Sequence, residues 1–223
     1  MFPYPTLIAF CIPNDIIWYT FNMITPKRTL EYDLQLEFSL IAGIDEVGRG
    51  CLAGPVVAAA VILGVDIDIP LLRDSKKLSK KQRYVTVAQI KQQSKAIGIG
   101  WVGAAEVDDR GLSWAVIESG VRALQDLDVQ PDFVILDGNQ NYLKNTHYKS
   151  AAHVGADATE SCVAAASIIA KCARDKYMEL AALAHPGYGF ERHVGYGTAA
   201  HKKALAELGT TSLHRRSVKG VVR

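Results

Sequence analysis

Short apolar runs separated by amphipathic stretches organise this chain. The runs at residues 40–47 and 55–63 flank a glycine-rich turn, which predicts two buried strands of a hairpin. Residues 96–102 predict a third strand. Residues 132–138 predict a short buried strand that ends on a carboxylate and a glycine.

Helical periodicity fills much of the sequence between these strands. A capping-box pattern opens a predicted helix at residues 79–93. Residues 106–127 predict one or two helices broken near Gly111, and residues 159–184 predict a long helix with small residues on one face. Residues 199–208 predict a short helix that a glycine ends. The mixture predicts an α/β fold class, a central mixed β-sheet flanked by helices, with a small helical C-terminal part.

The length of 223 residues and the hydrophobic content of 49% suit one folded domain and exclude a disordered chain. We assign residues 23–223 to that domain and residues 1–22 to an N-terminal extension, either disordered or not native. The extension has no basic start and its apolar patch is broken at Pro13, so neither a signal peptide nor a membrane span is expected. Met23 as the native start is a hypothesis that mass spectrometry of the native N-terminus tests, since a peptide from residues 1–22 would contradict it.

The net charge of +2 permits a nucleic-acid partner without demanding one. A basic C-terminal stretch has one acidic residue, Glu207, and such a stretch is usually a solvated face. The four cysteines include no C-x-x-C pair and no zinc spacing, which indicates reduced thiols in a cytoplasmic protein.

Carboxylates at strand ends are the candidate chemistry. Asp45, Glu46 and Asp137 lie at or beside the ends of apolar strands, and Asp157 is a fourth candidate. Charged groups at such positions need solvent, a partner or a metal. Hard cations such as Mg²⁺ and Mn²⁺ take oxygen ligands, and two such ions about 3.5–4 Å apart can hydrolyse a phosphodiester.

Simpler interpretations exist for each carboxylate. Asp45 could begin a turn, Asp137 followed by glycine is a common turn pair, and Asp157 fits the start of a capping box. Successive strand side chains also point to opposite faces, so Asp45 and Glu46 share a site only if the strand ends or bulges there.

The stretch Ala42–Val57, AGIDEVGRGCLAGPVV, closely resembles the signature of the ribonuclease HII family. Further similar motifs follow in the family's order, over roughly residue 40 to the C-terminus: DSKKLS at 74–79, LDG at 136–138, Asp157 before AAASIIAK at 164–171 and RD at 174–175, GYGT at 195–198 with His201, and HRRS at 214–217.

The resemblance implies a ribonuclease H-like fold for residues 23–223 and an endonuclease that hydrolyses the RNA strand of RNA–DNA hybrids. It implies action on single ribonucleotides embedded in duplex DNA, 5′-phosphate and 3′-hydroxyl products, and a role in RNA primer removal and ribonucleotide excision. It also implies Asp45, Glu46, Asp137 and Asp157 as catalytic ligands of Mn²⁺ or Mg²⁺.

The resemblance further implies that Gly48, Arg49 and Gly50, with Tyr196, contact the 2′-hydroxyl that distinguishes RNA from DNA. Without the motif, Tyr196 is better interpreted as a core or turn aromatic, and Arg49 either contacts a phosphate or pairs with a carboxylate. Other candidate phosphate contacts, each individually typical of a solvated charge, are Lys76, Lys77, Lys171, Arg215 and Arg216.

Two departures from the family pattern stand out. Gly155 occupies the place of the usual lysine two residues before the fourth carboxylate, and the chain lacks the C-terminal helical extension of some members. Two alternative functions are a catalytically silent hybrid-binding protein and a resolvase-like nuclease acting on branched DNA. A monomer without membrane contact is expected.

Overall fold

The computed structural model describes residues 7–12, 15–20, 29–65, 67–72 and 78–221. Its elements follow in chain order: β1 (Leu7–Ile12), β2 (Asp15–Thr20), α1 (Leu30–Leu34), β3 (Ile41–Val47), β4 (Val56–Leu63), α2 (Lys80–Gln93), β5 (Ser94–Val102), α3 (Ala104–Arg110), α4 (Leu112–Gln125), β6 (Phe133–Asp137), β7 (Ser150–His153), α5 (Ala156–Thr159), α6 (Ser161–Ala184), α7 (Phe190–His193) and α8 (Ala199–Leu208).

A five-stranded mixed sheet in the order β5-β4-β3-β6-β7 forms the centre of the fold. β3, β4 and β5 pair antiparallel, whereas β6 pairs parallel with both β3 and β7. The predicted α/β class, the hairpin β3–β4 and the capping box at Ser79 are confirmed. The sequence did not predict β7 or the short helices α1, α5 and α7, each only four or five residues long.

A separate antiparallel hairpin, β1–β2, lies within residues 1–22. The assignment of residues 1–22 to an N-terminal extension stays a prediction. Whether Met23 is the native start stays a prediction.

Helices cover both faces of the sheet. The face that carries Ala59 and Val61 packs against α6, and the face that carries Ala58 and Ala60 packs against α4. All eight residues of β4 are buried, as expected for a strand covered on both sides. Within the described part of the chain, no helix has the length and apolar character needed to cross a membrane.

Helix α6 approaches β3 so closely that a side chain at Gly43 has no room. A Cβ on Gly43 would lie 2.3 Å from the carbonyl carbon of Cys162 and 2.3 Å from the backbone nitrogen of Val163. Backbone atoms cannot rotate away as a side chain can, so this glycine sets the distance between α6 and the sheet.

We expect Gly43→Ala to lower the free energy of unfolding by about 3 kcal/mol or more, because the added methyl group overpacks two backbones. Urea unfolding followed by circular dichroism measures the change. Gly103→Ala is the matched control, since the nearest atom to its Cβ lies 3.6 Å away. Equal stability of the Gly43 variant and wild type would contradict the assigned packing.

Candidate active site

Parallel pairing brings two of the predicted carboxylates to one edge of the sheet. The register between β3 and β6 ends at the pair Ile44 and Leu136, and Asp45 and Asp137 are the next residues on each strand. The Asp45 side chain points to the α6 face, because Gly43, two positions earlier, contacts α6.

Asp45 lies between α6 and two other carboxylates. The Ser167 side chain on α6 lies close enough to Asp45 to lower its pKa, and Asp45 Oδ1 accepts the backbone N–H of Glu46 at 2.8 Å. Burial, and then the nearby charges of Glu46 and Asp137, outweigh these effects and raise the pKa of Asp45 to about 7. A bound cation would remove this conflict between like charges.

Glu46 lies on the other side of the strand from Asp45. The register of β3 with β4 runs unbroken through Val47, so no bulge brings the two adjacent side chains together. Burial raises the pKa of Glu46, opposed by Arg49, whose Nη1 lies 3.1 Å from Glu46 Oε1. Of the two roles expected for Arg49, a phosphate contact or an ion pair with a carboxylate, the structure shows the ion pair.

Asp157 lies within α5, and it is buried at 4% relative exposure. The N-cap of α6 is Glu160, so the interpretation of Asp157 as a helix cap is wrong. Gly155 is the N-cap of α5 with φ of +74°, a left-handed conformation that a lysine would adopt only with strain. Glycine in place of the family's usual lysine therefore suits the left-handed backbone conformation at residue 155.

The chemistry of these residues fits a hard divalent cation. Their donors are carboxylate oxygens, and the buried Oδ1 of Asp137 has no hydrogen-bond partner. Over residues 29–65, 67–72 and 78–221, however, no three His, Cys, Asp or Glu side chains are grouped closely enough to hold one ion. The metal role of the four carboxylates therefore stays a prediction.

The loop after β3 meets the segment around Tyr196. Isolated bridges join Cys51 to Tyr196 and Ala53 to His214, and the backbone N–H of Leu52 donates to Gly195 O at 2.9 Å. The structure thus brings the Gly48-Arg49-Gly50 segment and Tyr196 together. Tyr196 keeps 40% of its surface exposed, and nothing lies within 4 Å of a Cβ built on Gly50.

Two buried arginines, whose role the sequence did not indicate, hold this loop. Arg174 donates to the carbonyls of Pro55, Val194 and Ala53 at 2.9, 2.8 and 3.2 Å. Arg215 donates from Nε and Nη2 to Gly54 O at 2.9 and 2.7 Å and from Nη1 to Arg49 O at 3.1 Å. Both residues have 0% relative exposure.

The prediction that Arg215 contacts a phosphate is therefore wrong. Its guanidinium is enclosed by protein and bonded to main-chain carbonyls, and burial lowers its pKa to about 10, so it remains charged at neutral pH. The buried Arg215 guanidinium instead stabilises the loop after β3 by bonding its carbonyl groups.

The other predicted phosphate contacts differ in position. Lys171 donates to Asp175 Oδ1 at 2.7 Å and lines a cavity beside Glu46 and Tyr196. Arg216 is exposed, and its backbone N–H donates to Asp108 Oδ2 at 2.8 Å. Lys76 and Lys77 lie outside the described residues.

Glu46 lies at the boundary of two cavities. One, of about 350 Å³, is lined by Arg83, Ser167, Lys171 and Tyr196. The other, of about 220 Å³, lies on the opposite side of the strand and includes Asp137 and residues of α4. Carboxylates at this sheet edge therefore line cavities on both faces of the sheet.

The fold and this strand-end site define a nuclease of the ribonuclease H-like class: ribonuclease H2 from Pyrococcus horikoshii OT3 superposes with a TM-score of 0.73 at 26% identity, over 82% of this chain and 95% of that one. The family model described as Ribonuclease HII matches residues 42–221. Ribonuclease HII of Synechococcus sp. (strain CC9902) is 48% identical over 183 residues, covering 80% of this chain and 92% of its own. That of Thermosynechococcus vestitus is 47% identical over 186 residues, covering 82% and 85%. The chain belongs to the ribonuclease HII family and is an RNA–DNA hybrid endoribonuclease.

The raised pKa of Asp45 gives metal-free stability a defined pH dependence. A carboxyl whose pKa is about 7 in the fold and 3.8 as the reference stabilises the fold while protonated. This contribution is fully present below pH 3.8 and is lost progressively as the pH rises from there to about 7. We expect metal-free Asp45→Asn to be more stable than wild type by about 1–3 kcal/mol near pH 8 and nearly equal near pH 4.

Denaturant unfolding in EDTA at both pH values measures this difference. Asp128→Asn, at an exposed aspartate, is the control and should not change the pH dependence. An Asp45→Asn variant that is no more stable than wild type near pH 8 would show that Asp45 carries no such penalty.

Proposed function

We propose that the carboxylates Asp45, Glu46, Asp137 and Asp157 bind divalent metal, Mg²⁺ or Mn²⁺, to hydrolyse the RNA strand of RNA–DNA hybrids, including single ribonucleotides embedded in duplex DNA. The proposal rests on the proximity, at one sheet edge, of the strand-end carboxylates and the segment that contains Tyr196. Glu46 lines the same cavity as Tyr196, and Asp45 and Asp137 follow the last paired residues of two neighbouring parallel strands.

When bound, the metal would supply Lewis-acid stabilisation of the phosphate charge and an activated water. The expected products are 5′-phosphate and 3′-hydroxyl ends. Asp45 and Asp137 would hold the cation from the ends of two neighbouring strands, with Ser167 beside the Asp45 carboxylate. Substrate phosphate oxygens commonly complete such coordination. This supports the proposal even though the protein donors alone form no three-residue group.

Recognition of the 2′-hydroxyl is assigned to the Gly48-Arg49-Gly50 backbone and Tyr196. Glycines allow the backbone to approach a sugar closely, and the exposed part of the Tyr196 ring offers a flat face to it. Lys171 and Arg216 remain candidates for phosphate contacts. The cellular role that follows is removal of RNA primers and excision of ribonucleotides from DNA.

The first test is cleavage of a labelled DNA duplex that carries one ribonucleotide, with Mg²⁺, with Mn²⁺ and with EDTA. We expect metal-dependent cutting at the ribonucleotide and none in an all-DNA duplex. Asp45→Asn should reduce the rate at least about 10³-fold with little change in volume, because it removes a ligand charge that stabilises the transition state. Asp128→Asn serves again as the matched control.

Each other outcome has a definite meaning. Cleavage of a long RNA–DNA hybrid but not of the single-ribonucleotide duplex would reject the junction specificity and retain the nuclease. Cutting of branched DNA without ribonucleotides would favour the resolvase-like alternative. Hybrid binding with no cleavage under any metal would favour the silent binding protein.

A second prediction concerns Tyr196. Tyr196→Ala should lower cleavage at a single ribonucleotide by about 10-fold more than cleavage of a long hybrid, because a lone 2′-hydroxyl offers fewer alternative contacts and a stacking contact is worth about 1–3 kcal/mol. Steady-state kinetics on both substrates measure the ratio.

Tyr177→Ala is the matched control for that ratio, since Tyr177 has a similar exposure of 38% and packs on Trp101 instead. Equal losses on the two substrates would remove Tyr196 from junction recognition.

A further inference from the structure

A cluster of buried histidines lies directly beneath the Tyr196 segment. His193, His201 and His214 are 8%, 0% and 2% exposed, and they pack around the fully buried ring of Phe190. The His193 and His201 rings stack with centroids 4.4 Å apart. The proposed chemistry at the carboxylates uses none of these imidazoles.

Hydrogen bonds to the main chain fix which nitrogen of each ring carries the proton. The backbone N–H of Thr211 donates to His214 Nδ1 at 2.9 Å, so this nitrogen is an acceptor. His201 Nδ1 lies 2.9 Å from Tyr196 O, and because a carbonyl can only accept, this nitrogen donates.

These two assignments determine the contact between the rings. His201 Nε2 and His214 Nε2 are 3.1 Å apart. A neutral His214 with an accepting Nδ1 carries its proton on Nε2, whereas a neutral His201 with a donating Nδ1 has a bare Nε2. His214 Nε2–H therefore donates to the lone pair of His201 Nε2. All the hydrogen bonds of the chain are then donated in the same direction, from Thr211 towards Tyr196.

We propose that Thr211, His214 and His201 form a one-directional relay of neutral imidazoles that positions Tyr196 for recognition of the ribonucleotide. The order is Thr211 N–H to His214, His214 Nε2–H to His201, and His201 Nδ1–H to the Tyr196 carbonyl. The two histidines are positioning residues. The effect on recognition rests on the proposed role of Tyr196.

The surroundings favour the neutral rings that the relay requires. Burial is the largest cause that lowers the pKa of both His201 and His214, the latter to about 4, with further lowering by neighbouring imidazoles. The titratable groups that face the pair are His193, His185 and the Tyr188 ring, which lies 5.3 Å from His214. Protonation of either ring would leave two N–H groups facing each other.

Two other contacts hold the same short segment. His193 Nδ1 accepts from the Gly195 N–H at 3.2 Å, and its Nε2 lies 2.8 Å from Tyr188 O, which fixes this ring as neutral too. The Thr198 N–H also donates to Tyr196 O at 2.8 Å. The relay thus acts on a backbone that is already ordered, so its loss should shift Tyr196 without unfolding the protein.

The relay is tested first in the free wild-type protein. Two-bond ¹H–¹⁵N spectra near pH 7 report the protonation of each of the six imidazoles. We expect an unprotonated Nδ1 on His214 and an unprotonated Nε2 on His201. Either ring doubly protonated, or with the opposite tautomer, would overturn the proposal, and this measurement needs no variant to fold.

The second test asks whether the relay positions Tyr196. His214→Phe keeps a ring of similar volume but no nitrogen, and His214→Gln retains a donor near the Nε2 position. We expect the Phe variant to shift or broaden the Tyr196 ring ¹³C resonances and to lower the ratio of single-ribonucleotide to long-hybrid cleavage by about fivefold, the factor for one net hydrogen bond. The Gln variant should largely restore both, and His147→Leu, at an exposed histidine, should alter neither.

The two tests separate failure of the relay from failure of the proposed recognition. Unchanged Tyr196 resonances in His214→Phe would overturn the positioning role, whatever the kinetics show. If Tyr196→Ala leaves the substrate ratio unchanged while His214→Phe still moves the Tyr196 resonances, the relay stands as a structural device and the recognition role of Tyr196 fails. A purely structural His214 would lower activity on both substrates equally, with no rescue by Gln.

Discussion

The hydrogen bonds from two buried guanidinium groups to the carbonyls of the loop after β3 are the interaction on which the position of that loop depends. A loop that turns its carbonyls inward needs buried donors, and a single guanidinium supplies several in a fixed planar arrangement. Arg174 enters from α6 and Arg215 from the C-terminal segment, so the loop is bound from two directions. Burying these charges is favourable only because carbonyl dipoles surround them.

The same helix that supplies Arg174 also defines the catalytic edge. α6 lies against Gly43 at backbone contact distance, and this approach brings Ser167 close enough to Asp45 to lower the pKa of that carboxyl. Further along α6, Arg174 holds the carbonyl of Pro55. One rigid helix therefore fixes the spacing between the carboxylates and the loop after β3, which matters because small displacements of reacting groups are costly in rate.

The sequence predicted those parts of the fold that depend on local patterns. The helix that Ser79 caps and the helix at residues 199–208 were found because capping side chains and a terminal glycine act within one turn. β7 was missed because four half-buried residues show no alternation of polar and apolar side chains. The four carboxylates are predicted from the motif, and their metal role stays a prediction. The face that Glu46 occupies depends on pairing with β4, which no local pattern reveals. Arg215 was misassigned for a related reason: it stands in a basic run, and its burial comes from contacts with residues more than 160 positions earlier.

The bridges from Cys51 to Tyr196 and from Ala53 to His214 also set an order of events during synthesis. The ribosome delivers the chain from the N-terminus, and the segment that contains His214 and Arg215 emerges well after the sheet and α6. The catalytic edge can therefore assemble before the loop receives its second arginine. The final conformation of this loop is therefore acquired late, after the sheet has formed.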